Sequence, residues 1–153
     1  MALRDLVVVV PCYNEAQRLP VQDFHAFADT HPDVRFLFVN DGSSDDTASV
    51  LAGLHEQRPD SFDHLSLSQN SGKAEAVRRG FVEAMQRDAG LIAFWDADLA
   101  TPLNALPEFV QLFDDRPNVQ IVVGSRVKLM GREIQRTAIR HVLGRVFATF
   151  ASM

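Results

Sequence analysis

Five short apolar runs punctuate the chain: Leu6 to Val10, Val34 to Asn40, a weaker His64 to Leu67, Leu91 to Trp95 and Val119 to Val123. Apolar, in several cases β-branched, and bounded by polar or turn-forming residues, each reads as a buried strand. Between them apolar residues recur every three or four positions, as in Ala48, Leu51 and Leu54 or in Val77, Phe81 and Ala84/Met85, the spacing of one helix face. Near-continuous apolar strands alternating with amphipathic helices predict a parallel sheet, covered on both faces and joined by right-handed crossovers. The expected architecture is a doubly wound α/β domain.

Turn and cap chemistry sharpens the boundaries. After the second run, Asp41-Gly42-Ser43-Ser44 turns the chain; Ser43 or Ser44 is the predicted N-cap, with Asp45 and Asp46 favourably placed in the first helical turn. Pro102 and Pro107 fall near the start of the helix that follows Asp98, where a missing N–H matters least. A last helix is predicted over roughly Arg132 to Phe150, with Ile139, Val142/Leu143, Val146/Phe147 and Phe150 on one stripe and Arg132, Arg136 and Arg140 spaced by four.

At 153 residues and 17.0 kDa the chain is expected to form a single domain over 1–153. An apolar fraction of 46% with 23% charged residues supports a real core and excludes a disordered chain. The longest apolar run, Leu6 to Val10, is far short of the ~18 residues of a membrane span, and residues 1–20 lack a signal-peptide pattern. The expectation is a soluble, cytoplasmic protein. Cys12 is the lone cysteine, so no internal disulfide forms, and the five histidines show no pairing at ligand spacing. The net charge of −5 is uneven: residues 1–123 hold 9 Lys and Arg against 19 Asp and Glu, residues 124–153 hold 6 against 1. An acidic body argues against nucleic acid as a partner, whereas the basic end can meet phosphates or the inner face of an anionic membrane. The apolar stripe of the last helix further predicts a homodimer formed through it.

In an open parallel sheet the ligand crevice lies beyond the carboxyl ends of the strands. Four polar clusters follow strands there: Pro11-Cys12-Tyr13-Asn14-Glu15, Asn40-Asp41-Gly42-Ser43-Ser44, Gln69-Asn70-Ser71-Gly72-Lys73 and Asp96-Ala97-Asp98. The last is the most informative. Two carboxylates flanked by Trp95 and Leu99 would repel one another at a strand end unless a cation joins them. All-oxygen ligands suit Mg²⁺ or Mn²⁺, which bind through one or two carboxylates plus substrate phosphates.

VVVVPCYNE, FVNDGSSDDT, NSGKAEAVRRG, FWDADLATPL and VVGSR, in this order and at this spacing, resemble glycosyltransferase family 2, and within it the polyprenyl- and dolichyl-phosphate hexosyltransferases. The resemblance implies a GT-A fold, Rossmann-like and doubly wound, truncated at its C-terminal end because the family continues past position 153. It implies a nucleotide-sugar donor and a lipid-phosphate acceptor. Pro11, Tyr13, Glu15 and Asp41 would hold the donor's base and ribose, and Lys73 would lie near the nucleotide. Asp96, Ala97 and Asp98 would form the DxD segment, the two aspartates binding metal and through it the diphosphate, with Arg126 facing the phosphates. Arg140 would approach the acceptor phosphate. Ala100 stands where the mannosyltransferase branch often has Gln, and DLAT is closer to the glucosyltransferase-like branch. Metal and arginine would stabilise the charge that develops on the leaving diphosphate; attack from the opposite face would invert the anomeric centre, and an acceptor that is already an anionic phosphate needs no general base.

Rival readings are weaker. A haloacid-dehalogenase-like phosphatase would carry its DxD after the first strand with Thr two residues on, where Ala100 stands. A P-loop fails because Leu67 replaces the first glycine and Ala74 the hydroxyl residue after Lys73. The alternatives left open are a non-catalytic nucleotide-sugar-binding module and a transferase acting on a saccharide hydroxyl.

Overall fold

A computed structural model describes residues 5–87 and 89–124. The chain alternates strand and helix: β1 (Leu6–Cys12), α1 (Val21–Thr30), β2 (Val34–Asn40), α2 (Thr47–Gln57), β3 (Phe62–Ser66), α3 (Lys73–Met85), β4 (Leu91–Phe94), then a 3₁₀ turn (Leu103–Ala105) leading into α4 (Leu106–Asp115). These elements belong to one compact unit ending at Gln120. The strands form a parallel sheet in the order β3-β2-β1-β4. β1 is central, in register with β2 from Leu6 opposite Val34 to Cys12 opposite Asn40.

Strand alternation divides the core into two layers. Leu6, Val8, Val10 and Cys12 of β1 join Phe36 and Phe38 of β2 and Phe62 of β3, beneath Phe24 and Phe27 of α1, Leu51 and Leu54 of α2, and Leu106 and Val110 of α4. Phe24 is fully buried and meets Phe36 and Phe38 edge-on, with centroids 5.2 and 5.1 Å away; truncating a phenylalanine so placed typically costs ~3–5 kcal/mol. On the opposite face Val7, Val9, Leu37 and Val39 pack against Ala76 and Ala84 of α3. Gly80 lets α3 settle there, because a Cβ on it would stand 2.3 Å from Val9 Cγ1 and 2.9 Å from Val39 Cγ2.

The connections set the crevice. From β1 the chain steps outward to β2 and β3, then α3 carries it back across the other face to β4 on the far side of β1. The order therefore reverses between β1 and β4, and the loops after the strand ends open at that switch point.

Several boundaries differ from the sequence expectation. β3 begins at Phe62 rather than His64. α2 begins at Thr47 with Asp46 at the N-cap and no side-chain cap bond, because Ser43 and Ser44 are used elsewhere. Pro102 and Pro107 do sit at the starts of the 3₁₀ turn and α4. Val119 to Val123 forms no strand, with Ile121 and Val123 79% and 80% exposed; a β-branched run becomes a strand only where a partner offers a ladder. The predicted helix Arg132 to Phe150 lies outside the described residues. Among the described residues no helix is long and apolar enough to cross a membrane.

Candidate functional site

The loops after β1 and β2 are bound to each other through their polar side chains. Asn14 adopts φ 54°, a left-handed conformation asparagine tolerates better than most residues. Its Oδ1 accepts from Ser44 N at 2.9 Å, and its own N–H donates to Ser43 Oγ at 3.0 Å. Glu15 N donates to Thr47 Oγ1 at 2.8 Å and Ala16 N to Asp45 Oδ2 at 3.2 Å. Asp45 also accepts from Thr47 N and Thr47 Oγ1, and the hydroxyl contact holds its carboxyl below the usual range. The serines predicted to cap α2 thus fasten the β1 loop instead.

Asp41 joins the β2 end to the loop before α3. Its side chain is buried, and its two oxygens accept from Ser71 N at 2.8 Å and Gly72 N at 2.9 Å. Asp41 N donates in turn to Cys12 O at 2.9 Å, so one residue ties three strand ends together. Gly42 completes the junction: it has φ +61°, and a Cβ there would fall 2.3 Å from Gln69 C and 2.4 Å from Asn70 N. Only glycine fits against that backbone.

The β4 end carries the paired carboxylates. Trp95 is buried and anchors the segment through Nε1–H to Thr101 O at 2.7 Å. Ala97 is buried, while Asp96 on one side is half-buried and Asp98 on the other exposed. Asp98 Oδ1 accepts from Ala100 N at 3.0 Å, and Leu99, at φ 48°, turns the chain between them. Asp96 Oδ1 is paired with Lys73 Nζ, the first residue of α3, whose ammonium also lies 5.2 Å above the Phe94 ring centroid. Asp96 thus has a positive charge from the chain itself beside it.

The sequence-predicted residues therefore converge in large part. Asp41, Lys73, Asp96, Ala97 and Asp98 gather where the loops after β2, β3 and β4 meet. Tyr13 is 45% exposed at the end of β1, and Pro11 is half-buried one residue from the end of that strand. Glu15 is partly spent on Arg18, at 2.9 Å. Arg126 and Arg140 lie outside the described residues. Cys12 is buried, and burial with the nearby Glu15 charge pushes its thiol up to about 12, so it acts as a small packing residue. Sequence reading missed the bridging role of Asn14, for which the signal was an asparagine between strand and helix, and the part of Phe94, an apolar residue left 39% exposed at a strand end.

Among the described residues no three His, Cys, Asp or Glu side chains form a metal cage. Two carboxylates two residues apart, Asp98 exposed and Asp96 half-buried, nevertheless fit Mg²⁺ or Mn²⁺, which characteristically take one or two carboxylates and complete their shell with phosphate oxygens and water.

The chain is similar to known proteins. The Glycosyl transferase family 2 profile matches residues 7–150. Dolichyl-phosphate beta-glucosyltransferase of Dictyostelium discoideum is 31% identical over 151 residues, covering 90% of this chain and 45% of that protein. Undecaprenyl-phosphate 4-deoxy-4-formamido-L-arabinose transferase of Photorhabdus laumondii subsp. laumondii is 31% identical over 127 residues, covering 81% of this chain and 37% of the relative. Among solved structures, mannosyltransferase PcManGT from Pyrobaculum calidifontis, in complex with GDP-Man and Mn²⁺, superposes with a TM-score of 0.61 at 25% identity, over 73% of this chain and 33% of that one. The chain thus spans less than half the length of these relatives. The four-stranded parallel sheet with helices on both faces is the GT-A arrangement, and the chain belongs to glycosyltransferase family 2.

Proposed function

We propose that this chain is the donor-binding part of an inverting, metal-dependent hexosyltransferase that carries sugar from a nucleotide diphosphate, UDP-glucose or GDP-mannose, to a polyprenyl or dolichyl phosphate at the cytoplasmic face of a membrane. The observation that carries the reading is the junction of three loops: Asp41 holds Ser71 and Gly72, and the next residue, Lys73, reaches Asp96. The residues assigned to the base and those assigned to the phosphates are thereby linked by one run of contacts. The names of the lipid-phosphate relatives support the acceptor class.

In this reading the half-exposed Tyr13 ring offers a flat apolar surface to the base, with Pro11 and Glu15 flanking it in the chain. Asp41, whose oxygens each retain a lone pair beyond the bonds to Ser71 and Gly72, accepts from the base or ribose. Asp96 and Asp98 would hold a divalent ion, whose charge would offset that of the leaving diphosphate. Lys73 adds a positive charge beside the phosphates, a role shared with Arg126, while Arg140 takes the acceptor. Preorganised charge of this kind is the largest contribution a site can make when the leaving group is an anion. Attack from the face opposite the diphosphate inverts the anomeric centre, and a phosphate monoester nucleophile is already ionised at neutral pH.

Calorimetric titration with UDP-glucose and with GDP-mannose, each with and without Mn²⁺, tests this directly. One donor is expected to bind in an Mn²⁺-dependent way, and Asp98→Ala should abolish the metal effect. Identical nucleotide affinity and Mn²⁺ dependence in that variant would overturn the assignment. Transfer to a polyprenyl phosphate then separates a transferase from a binding module, which would take the donor and pass nothing on.

A further inference from the structure

The two carboxylates of the Asp96–Asp98 segment are treated differently by the rest of the chain. Asp98 is exposed and receives one backbone N–H, from Ala100. Asp96 is paired with the Lys73 ammonium, the side chains being 35% and 61% exposed. Lys73 opens α3, the end of a helix at which the macrodipole disfavours a cation. What holds it there is the Asp96 carboxylate together with the Phe94 face, 5.2 Å from its nitrogen. Both contacts lie at the surface, where ion pairs are weak and readily exchanged, and the lysine stem is flexible enough to re-aim its charge.

We infer that Lys73 is an exchangeable cation: in the donor-free protein its ammonium occupies the Asp96 carboxylate, and the divalent ion displaces it there when the nucleotide diphosphate arrives to receive the freed ammonium. The inference rests on the proposed reading of the site and adds a coupling to it. Metal alone must compete with Lys73 for Asp96. Metal together with diphosphate meets no such competition, because the ammonium gains a new anionic partner as it loses the old one. By linkage, whatever factor the diphosphate adds to metal affinity the metal adds to diphosphate affinity. A monovalent placeholder also keeps Asp96 and Asp98 from repelling one another while the site waits.

The test measures Mn²⁺ binding through loss of the free-ion electron paramagnetic resonance signal, for the wild-type chain, Lys73→Met and Lys73→Arg, each with and without UDP or GDP. Without nucleotide, Lys73→Met should raise Mn²⁺ affinity about 1.5-fold to fivefold, the range expected for freeing a carboxylate from a surface pair. Lys73→Arg should stay close to wild type. The nucleotide should strengthen Mn²⁺ binding in the wild type more than in Lys73→Met. Unchanged or weaker Mn²⁺ affinity in nucleotide-free Lys73→Met would overturn the exchange while leaving the metal site standing, provided that nucleotide-dependent Mn²⁺ binding persists and is lost in Asp98→Ala. Absence of Mn²⁺ binding in every variant, with either nucleotide, would overturn the site reading and the exchange with it.

Discussion

Replacing Asp41 by asparagine isolates what a buried carboxylate does in the framework of the site. Its side chain is almost wholly out of solvent, and each oxygen accepts one backbone N–H, from Ser71 at 2.8 Å and from Gly72 at 2.9 Å. Asparagine matches the size but keeps one acceptor, and its NH₂ then faces an N–H. One charge-assisted bond, worth ~1.5–3 kcal/mol, is lost and a donor is left unpaired beside another. The expected loss is about 2–4 kcal/mol, a large part of the ~5–15 kcal/mol that stabilises a typical domain. At ~2–4 °C per kcal/mol for a chain of this size, the melting temperature should fall by roughly 5–15 °C. Calorimetry gives the midpoint, and hydrogen exchange supplies the local reading: amides of Ser71 and Gly72 should lose protection before those of the central strand β1. A midpoint within about 1 °C of wild type, with both amides still protected, would refute the claim that Asp41 ties the loops together.

Three further outcomes follow from the same geometry. Gly42→Ala should be at least as disruptive locally, since its Cβ would fall 2.3 Å from Gln69 C in a left-handed backbone; fluorescence-monitored unfolding should show a less stable protein, and a wild-type midpoint would contradict the close approach. Cys12, its thiol raised to about 12 by burial and by Glu15, should resist a thiol reagent at pH 8 while the protein is folded and react once it is denatured; rapid native labelling would contradict its burial. Burial raises the Asp63 carboxyl, but hydrogen bonds to it from Arg87 and from the His64 backbone and the Arg87 charge outweigh that and leave it lowered. A carboxyl lowered on folding stabilises above its unfolded value and loses that contribution as pH falls through the folded one. Asp63→Asn should therefore destabilise at pH 7 and much less near pH 3, and a pH-independent difference in denaturant midpoint would sink the pairing.

The sequence alone determined the frame of this protein. Runs such as Leu6 to Val10 and Val34 to Asn40 are apolar on both faces, and a strand buried on both faces has few homes other than a parallel sheet between helices. Once that is granted, the loops after the strands fall at one edge of the sheet, and the contacts of Asp41 with Ser71 and Gly72 and of Lys73 with Asp96 lie there. What the sequence could not determine were choices among equivalent local partners. Ser43 and Ser44 are good helix caps, yet Asn14, distant in sequence, offers them partners and α2 starts without them. Val119 to Val123 has the composition of a strand, but pairing depends on an available neighbour and not on the run itself. The Lys73–Asp96 pair joins the start of α3 to the segment just after β4; β3, which precedes α3, and β4 lie on opposite edges of the sheet, and nothing local in either segment specifies the other. Tertiary structure decided these contacts because hydrogen bonds and ion pairs are short-ranged, whereas hydrophobic periodicity is written residue by residue along the chain.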